Sequence, residues 1–456
     1  MIQNITKSIA TGALAVFIGL SVPACDDEGG GKTTEGGGGS GGSGGSGGAG
    51  GSGGAGGGSS QGAQYVDAIC GKLFECCNAQ DLVARVGNSG VVDYAGCRIL
   101  YRTFWDGGYE PMLKESEASG RIEFDDAAFT ACLDTLKAQT CGEFATSGFA
   151  SCNAFIIGKV DKGGACEEDF ECKSKACETP SGASVGTCVD AVAPAAEGAA
   201  CAENDDCAEG LYCDGPTDKC VQKKADGQAC SSNNECLNTT CVDDGSGMKK
   251  CVTVCQGGGP GPGATDAALE NVGAPIVAAE CKRSFECCTE QERTGFLYNT
   301  KSQCLLITGA LLGITLVARH NDVAEGRISV DAEKLASCVQ AYGALSCEAS
   351  AGNDFECPDA IVGLVADGQS CTDETQCTSE YCNEPPGSTM GTCATLPGVG
   401  APCTDTCAES FYCAAGTCAA QKALGTACAT SKECLEGRCV DDGAGALTCT
   451  LVCDGI

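Results

Sequence analysis

Forty-one cysteines in 456 residues carry most of the chemistry this sequence could do. A cysteine can pair in a disulfide, ligate a metal as thiolate, or attack as a nucleophile. No two of them are separated by two residues, so neither the zinc-ribbon pair nor the thioredoxin-type pair is present. Disulfides are therefore expected. His320 is the only histidine, which excludes multi-histidine metal sites. It directly follows an apolar run and is expected at a helix end, beside the last carbonyls. Sixty-one acidic residues make coincidental carboxylate pairs inevitable, so no glycosidase pair is assigned. Asp243-Asp244-Gly245-Ser246-Gly247 and Asp441-Asp442-Gly443-Ala444-Gly445 are acidic enough to suggest calcium. They lack the alternating ligands and closing Glu of an EF-hand loop and read first as hairpin turns. Asn238-Thr239-Thr240 is a formal glycosylation sequon. No catalytic residue, metal ligand or cofactor is expected.

The net charge of −33 leaves nothing to replace phosphate counterions, so nucleic acid is not an expected partner. Cysteine at about 9% of residues is the composition of a disulfide scaffold.

The cysteines fall into register with themselves. Cys25 stands alone. The next twenty are Cys70, Cys76, Cys77, Cys97, Cys132, Cys141 and Cys152, then Cys166, Cys172, Cys177 and Cys188, then Cys201, Cys207, Cys213 and Cys220, then Cys230, Cys236, Cys241, Cys251 and Cys255. The last twenty are Cys281, Cys287, Cys288, Cys304, Cys338, Cys347 and Cys357, then Cys371, Cys377, Cys382 and Cys393, then Cys403, Cys407, Cys413 and Cys418, then Cys428, Cys434, Cys439, Cys449 and Cys453. Both sets group as seven, four, four and five. Phe74-Glu75-Cys76-Cys77 recurs as Phe285-Glu286-Cys287-Cys288, and Gly120-Arg121-Ile122 as Gly326-Arg327-Ile328. The expectation is a tandem duplication of a two-part repeat.

The first part of each copy is expected to be all-α. Val66, Ile69, Cys70, Leu73, Phe74 and Cys77 follow i, i+3, i+4 spacing. A second helix is expected through Phe129, Cys132, Leu133 and Leu136, matched by Leu335, Cys338, Val339 and Tyr342, with Asp125 and Asp331 as N-caps. The run Leu305 to Ala318 is expected as a buried helix; an exposed binding patch is the alternative. Cys70 and Cys77 share a helix face about 10.5 Å apart, beyond the ~7 Å a disulfide tolerates between Cα atoms. With the adjacent Cys76, they should reach three separate partners. About three bridges should staple each helical unit. The second part of each copy is three small modules with too few apolar residues for a core, so cross-links must replace it. Seven and five are odd, so one bridge per copy should leave the helical unit, most simply for the last module. Four cysteines alone allow three pairings.

At the N-terminus Lys7 precedes an uncharged stretch from Ile9 to Val22. That length suits the core of a signal peptide and is too short for a membrane span. Val22-Pro23-Ala24-Cys25 resembles the bacterial lipobox, which would make Cys25 the lipidated mature N-terminus; cleavage after Ala24 by an ordinary signal peptidase is the alternative. From Gly29 to Gly62 the chain is nearly all Gly and Ser, a flexible tether with a reach of about 30–35 Å.

Gly164-Ala165-Cys166, Glu171-Cys172, Cys177 and Gly186-Thr187-Cys188 resemble Dickkopf N-terminal-like cysteine-rich modules. Similar modules follow Gly/Ser tethers in exported lipoproteins of predatory Gram-negative soil bacteria. The resemblance implies a bacterial cysteine-rich lipoprotein of the cell envelope, in the outer membrane or at the cell surface. The expected organisation is a signal peptide over 1–24, a lipidated tether over 25–63, helical units over 64–158 and 269–362, small modules over 159–255 and 363–456, and a linker over 256–268. The expected function is non-enzymatic: binding, adhesion or structural display at the envelope. The partners would be the membrane, through Cys25, and a protein or surface glycan. The alternative is a disulfide-rich inhibitor or effector acting on an extracellular enzyme.

Overall fold

The computed structural model describes residues 60–453, leaving out 87–88, 148, 150–153, 181–182, 184, 203, 239, 244–246, 291, 294–297, 299, 348–356, 358, 386–387, 404–405, 409, 436, 442–445 and 452. The signal segment, Cys25 and nearly all of the tether lie outside these residues, as does Cys152. From Ser60, whose hydroxyl accepts the Ala63 amide as N-cap, the chain enters α1 (Gln61–Cys76). Then come α2 (Ala79–Val86), α3 (Tyr94–Phe104), a π-helical turn Trp105–Tyr109, α4 (Glu110–Ala118), α5 (Asp126–Ala138) and α6 (Cys141–Ser147). The second half carries α7 (Ala267–Glu270), α8 (Gly273–Glu286), α9 (Lys301–Ala324) and α10 (Ala332–Gly343). Asp125 and Asp331 accept two amides each at the starts of α5 and α10, the expected N-caps.

The helical stretches are not purely helical. Strand Ile122–Phe124 pairs antiparallel with Ile156–Gly158, and Ile328–Val330 with Ile361–Gly363. Each ribbon puts one residue of its first strand, Ile122 or Ile328, into the core. It then continues into the first module, because the Val160 and Val365 amides donate to Glu171 and Gln376 carbonyls.

Nor do the two halves keep a core each. One cluster of buried side chains includes Val66, Phe74 and Ile99 from the first half with Leu316, Val317 and Leu335 from the second. The expected buried helix over Leu305 to Ala318 is the middle of α9, which runs antiparallel to α3 and crosses it on small residues. A Cβ at Gly313 would lie 3.1 Å from the Leu100 carbonyl oxygen, and one at Gly108 would lie 2.8 Å from that of Leu305. Glycine is needed there for the backbones to meet. By length and composition α9 could cross a membrane, but its buried residues pack against α3, the π turn and α8.

The π turn has a counting origin. Cys97 to Gly120 spans 23 residues, whereas Cys304 to Gly326 spans 22. A π turn absorbs one extra residue without breaking a helix, so both ends of the longer segment keep their places. Those ends close identically. Gly120 (φ 72) and Gly326 (φ 69) adopt left-handed backbone, with the Arg121 amide reaching back to Ser116 and the Arg327 amide to Asp322. This is the Schellman closure, which favours glycine.

The bridges follow the parity expectation. Cys70, Cys76 and Cys77 reach Cys97, Cys141 and Cys255; Cys281, Cys287 and Cys288 reach Cys304, Cys347 and Cys453. Cys338 pairs with Cys357, and Cys132 is also disulfide-bonded. The bridges that leave the helices therefore run to the last module of each half. A carboxylate secures each clasp: Asp81 accepts the Cys255 amide at 3.1 Å, and Glu292 accepts that of Cys453 at 2.9 Å.

All six small modules pair their first cysteine with the third and the second with the fourth. The bridges are 166–177 with 172–188, 201–213 with 207–220, and 230–241 with 236–251, then 371–382 with 377–393, 403–413 with 407–418, and 428–439 with 434–449. The first module of each half is a three-stranded sheet and the others are hairpins; beyond sulfur, the first module's apolar cluster adds only the half-buried Val160. The segment between the halves is not a loose linker. The amides of Gly257, Gly259 and Gly261 donate to the carbonyls of Cys76, Glu75 and Phe74, capping the end of α1.

Candidate functional site

The positions with chemistry gather at two kinds of junction. In the modules, the residue before the second cysteine is Glu171, Asp206, Glu235, Gln376 or Glu433 in five of six cases. Its side chain folds back onto the loop before it. Glu171 accepts the Glu167 amide at 2.8 Å, Asp206 that of Ala202 at 2.7 Å, Glu235 that of Ser231 at 3.0 Å, and Gln376 that of Thr372 at 3.0 Å. A carboxylate or amide oxygen replaces the strand partner this loop lacks. The sequence carried this signal in the recurrent acid-Cys pair.

In the first module of each half, that side chain also holds the module to the helices. Glu171 is 1% exposed. It accepts the Ser116 hydroxyl at 2.8 Å and Arg121 at 3.3 Å, and Arg121 also reaches Glu167 at 3.2 Å. In the second half the roles are exchanged. Gln376, equally buried, donates to Asp322 at 2.7 Å. Asp322 stands four residues before Gly326, as Ser116 does before Gly120. The carboxylate has moved from the module to the helix, and the neutral group the other way. Arg319 joins Asp322 at 3.3 Å and Asp373 at 3.0 Å. Burial pushes the Asp322 carboxyl up against the pull of Arg319. For Asp373, burial also pushes up, but Arg319 and Thr375 outweigh it and hold the carboxyl below its usual range.

His320 is not at a helix end beside free carbonyls. It lies a turn inside α9, between two carboxylates from different elements: Asp266 at 2.9 Å from Nδ1 and Asp93 at 3.0 Å from Nε2. Asp93 also caps α3 and Asp266 caps α7. The hydrogen bond to Asp266, helped by Asp93, outweighs burial and lifts the imidazole to about 9; the same bond holds Asp266 low. At neutral pH the ring is a cation donating from both nitrogens. It staples two helix starts and has no lone pair for general-base work.

Sulfur triplets such as Cys166, Cys172 and Cys188 come within 4.8 Å of one another. Every one of these sulfurs is in a disulfide, and a disulfide sulfur is not the thiolate a metal needs. Asp243 is described, and its carboxylate accepts the Gly247 amide at 3.3 Å; residues 244–246 and 442–445 of the acidic turns lie outside the described residues. Asn238 of the sequon donates to Asp226 at 3.0 Å. Two hollows are open and shallow, one beside Glu333, Ser337 and Asp359, the other floored by Val83, Val242, Val252 and Val254. No family model, curated protein or solved structure matches the chain.

Proposed function

We propose that this chain is an exported, lipid-anchored binding or display protein of a bacterial envelope, built by tandem duplication and presenting the same surface twice. The observation that carries the binding part is a recurrence of exposed apolar side chains. Ile157 and Val362 each stand fifteen residues before the second cysteine of a first module. Val185 and Met390 each stand three before its fourth, and Leu237 and Leu435 each follow the second cysteine of a last module. All six are exposed, from 41% for Ile157 to 57% for Met390. Scattered apolar residues are ordinary on a surface; the same three sites kept exposed in both halves fit two equal contacts for one kind of partner. Two linked weak contacts make the second engagement intramolecular, which strengthens binding without new chemistry. Nineteen bridges among the described cysteines suit an oxidising, exported setting. The succession of an uncharged signal core, the lone Cys25 and a Gly/Ser tether supports anchorage.

The test has two arms. Native protein labelled with a palmitate analogue should carry the label, and Cys25→Ser should lose it. Binding of the purified body to envelopes of the producing cell is then compared for three proteins: intact, one half changed to Ser at its three apolar sites, and both halves changed. Retention of weakened binding by the first variant and loss by the second supports two equal contacts. Unchanged binding with all six replaced sinks the proposal.

A further inference from the structure

Four links join the small modules to one another, two in each half, and one of them is longer than the rest. Each link ends on a carbonyl that accepts the amide just after the next module's second cysteine. Ala195 accepts from Ala208, Lys224 from Leu237, Pro397 from Ala408 and Lys422 from Leu435. Lys224, Pro397 and Lys422 each stand four residues after the last cysteine of the module before, Cys220, Cys393 or Cys418. Ala195 stands seven residues after Cys188. The link between the first and second modules of the first half therefore carries three surplus residues.

That surplus stands clear of the fold. From Asp190 to Pro194 the chain forms neither helix nor strand, and none of its backbone groups bonds to another described backbone group. The ends are fixed: the Val189 amide donates to the Ala176 carbonyl at 3.0 Å, and the Ala195 amide to that of Asp206 at 2.6 Å. Ala191, Val192, Ala193 and Pro194 are all exposed. Val192, at 88%, is the most exposed large apolar side chain among the described residues. Exposed tips of small residues are where chains are nicked. An endopeptidase takes several residues as an extended strand and needs their amides and carbonyls unpaired. The next most exposed valine outside a helix, Val399, sits in a turn closed by the Ala401 amide on the Gly398 carbonyl. Val92 stands between buried Val91 and the helix cap Asp93.

The bridges determine what a cut here would do. Cys77–Cys255 joins the chain before this link to the chain after it. No other bridge with both partners described does so. We propose that Ala191-Val192-Ala193 is a cleavage site for an endopeptidase with a small aliphatic specificity pocket, and that the cut chain remains one covalent molecule. One water adds across the Ala191–Val192 or Val192–Ala193 bond. The C–N bond breaks, leaving a carboxylate on the residue before it and an ammonium on the residue after. The Ala193–Pro194 bond is not the target, since its ring nitrogen carries no hydrogen. The second and last modules of the first half then pass from a loop held at both ends to an arm held at Cys255. Without hydrogen bonds to hold the new ends together for resealing, the link is a substrate and not the reactive loop of an inhibitor.

Pancreatic elastase on the intact chain is the test. The first cut within 60–453 should expose Val192 or Ala193 as a new amino terminus. The product should gain the mass of one water, run as one band without reductant and as two with it. Cys77→Ser with Cys255→Ser should give two bands without reductant. Deleting Ala191, Val192 and Ala193 restores the spacing of the other links and should slow cutting here at least about tenfold. Ala191→Asp with Val192→Asp keeps the length, changes only the side chains the pocket reads, and should do the same. An earlier cut elsewhere in 60–453 overturns the proposal. So does release of a piece from the wild-type chain without reductant, unchanged cutting here in the double Asp variant, or stoichiometric inhibition of elastase with the link intact.

Discussion

The helical part and the small modules solve the same stability problem in opposite ways. The helices bury a common apolar cluster drawn from both halves. Apart from their sulfurs, the modules bury few side chains, chiefly Tyr212 and the polar Glu171, Glu235, Thr240 and Gln376. In the helices a disulfide is an addition to a core; in the modules it is the core. The difference teaches where tolerance should lie. Close-packed helices resist any change of volume, while the modules should accept most substitutions away from the four sulfurs, the close-packed glycines Gly186 and Gly391 and the side chain before the second cysteine.

Removing one bridge from each region should give the widest separation. Replacing Cys172 and Cys188 together by Ala should unfold the first module, with protection lost across 165–188 in hydrogen exchange. Replacing Cys76 and Cys141 costs a similar ~2–4 kcal/mol, yet the helices should remain folded because their apolar cluster persists. Loss of helical circular dichroism in the second variant would erase the distinction.

Volume should sort the regions next. Gly108→Leu forces a side chain against the Leu305 backbone and should cost about 3 kcal/mol in denaturant unfolding. Gly215→Ala, in a hairpin turn with open space around it, should change stability by no more than ~0.5 kcal/mol.

The junction between the regions offers a sharper test. Glu171→Ala leaves Arg121 and the Glu167 amide without their shared acceptor and should cost about 2 kcal/mol. Glu171→Gln combined with Ser116→Asp installs the second half's arrangement. Their coupling energy in a double-mutant cycle should be favourable by about 1 kcal/mol or more; simple additivity would show that the exchange of roles is incidental.

The smallest effects are electrostatic. His320→Ala should cost about 1 kcal/mol at neutral pH, given how exposed Asp93 is. The raised imidazole contributes fully below its ordinary value of about 6.5 and loses the contribution as pH rises through about 9. The wild-type and variant stability curves should therefore converge above pH 9. A gap that persists there would assign the effect to packing.

What could be read beforehand also divides along this line. The extent of the modules was legible because four cysteines and a turn lie within some thirty residues; their pairing was not, since four cysteines allow three connectivities, and the acid before the second cysteine went unread. The parity of the cysteine counts even placed the clasps from Cys77 and Cys288. The crossing of α3 and α9 was not legible, since its glycines lie two hundred residues apart and no periodicity connects them. The π turn left a trace in the one-residue difference between Cys97–Gly120 and Cys304–Gly326, which repeat-counting alone could not locate. His320 misled because its partners, Asp93 and Asp266, come from distant elements. The paired ribbons were missed because three-residue strands carry too little alternation to stand out beside helices.

The tight attachment of α1 has a mechanical consequence. Any pull applied through the chain at Ser60 enters the folded part along α1, and the first covalent stop is Cys70, bonded to Cys97. Unravelling the ten residues before that stop, from about 1.5 Å to about 3.4 Å each, yields only about 20 Å of slack. Beyond it the load divides among α3, α6 and the last module through three bridges in succession. Tension at that end is shared across the first half before the strands of its first two modules are strained, so a chain pulled at Ser60 would keep those modules in shape.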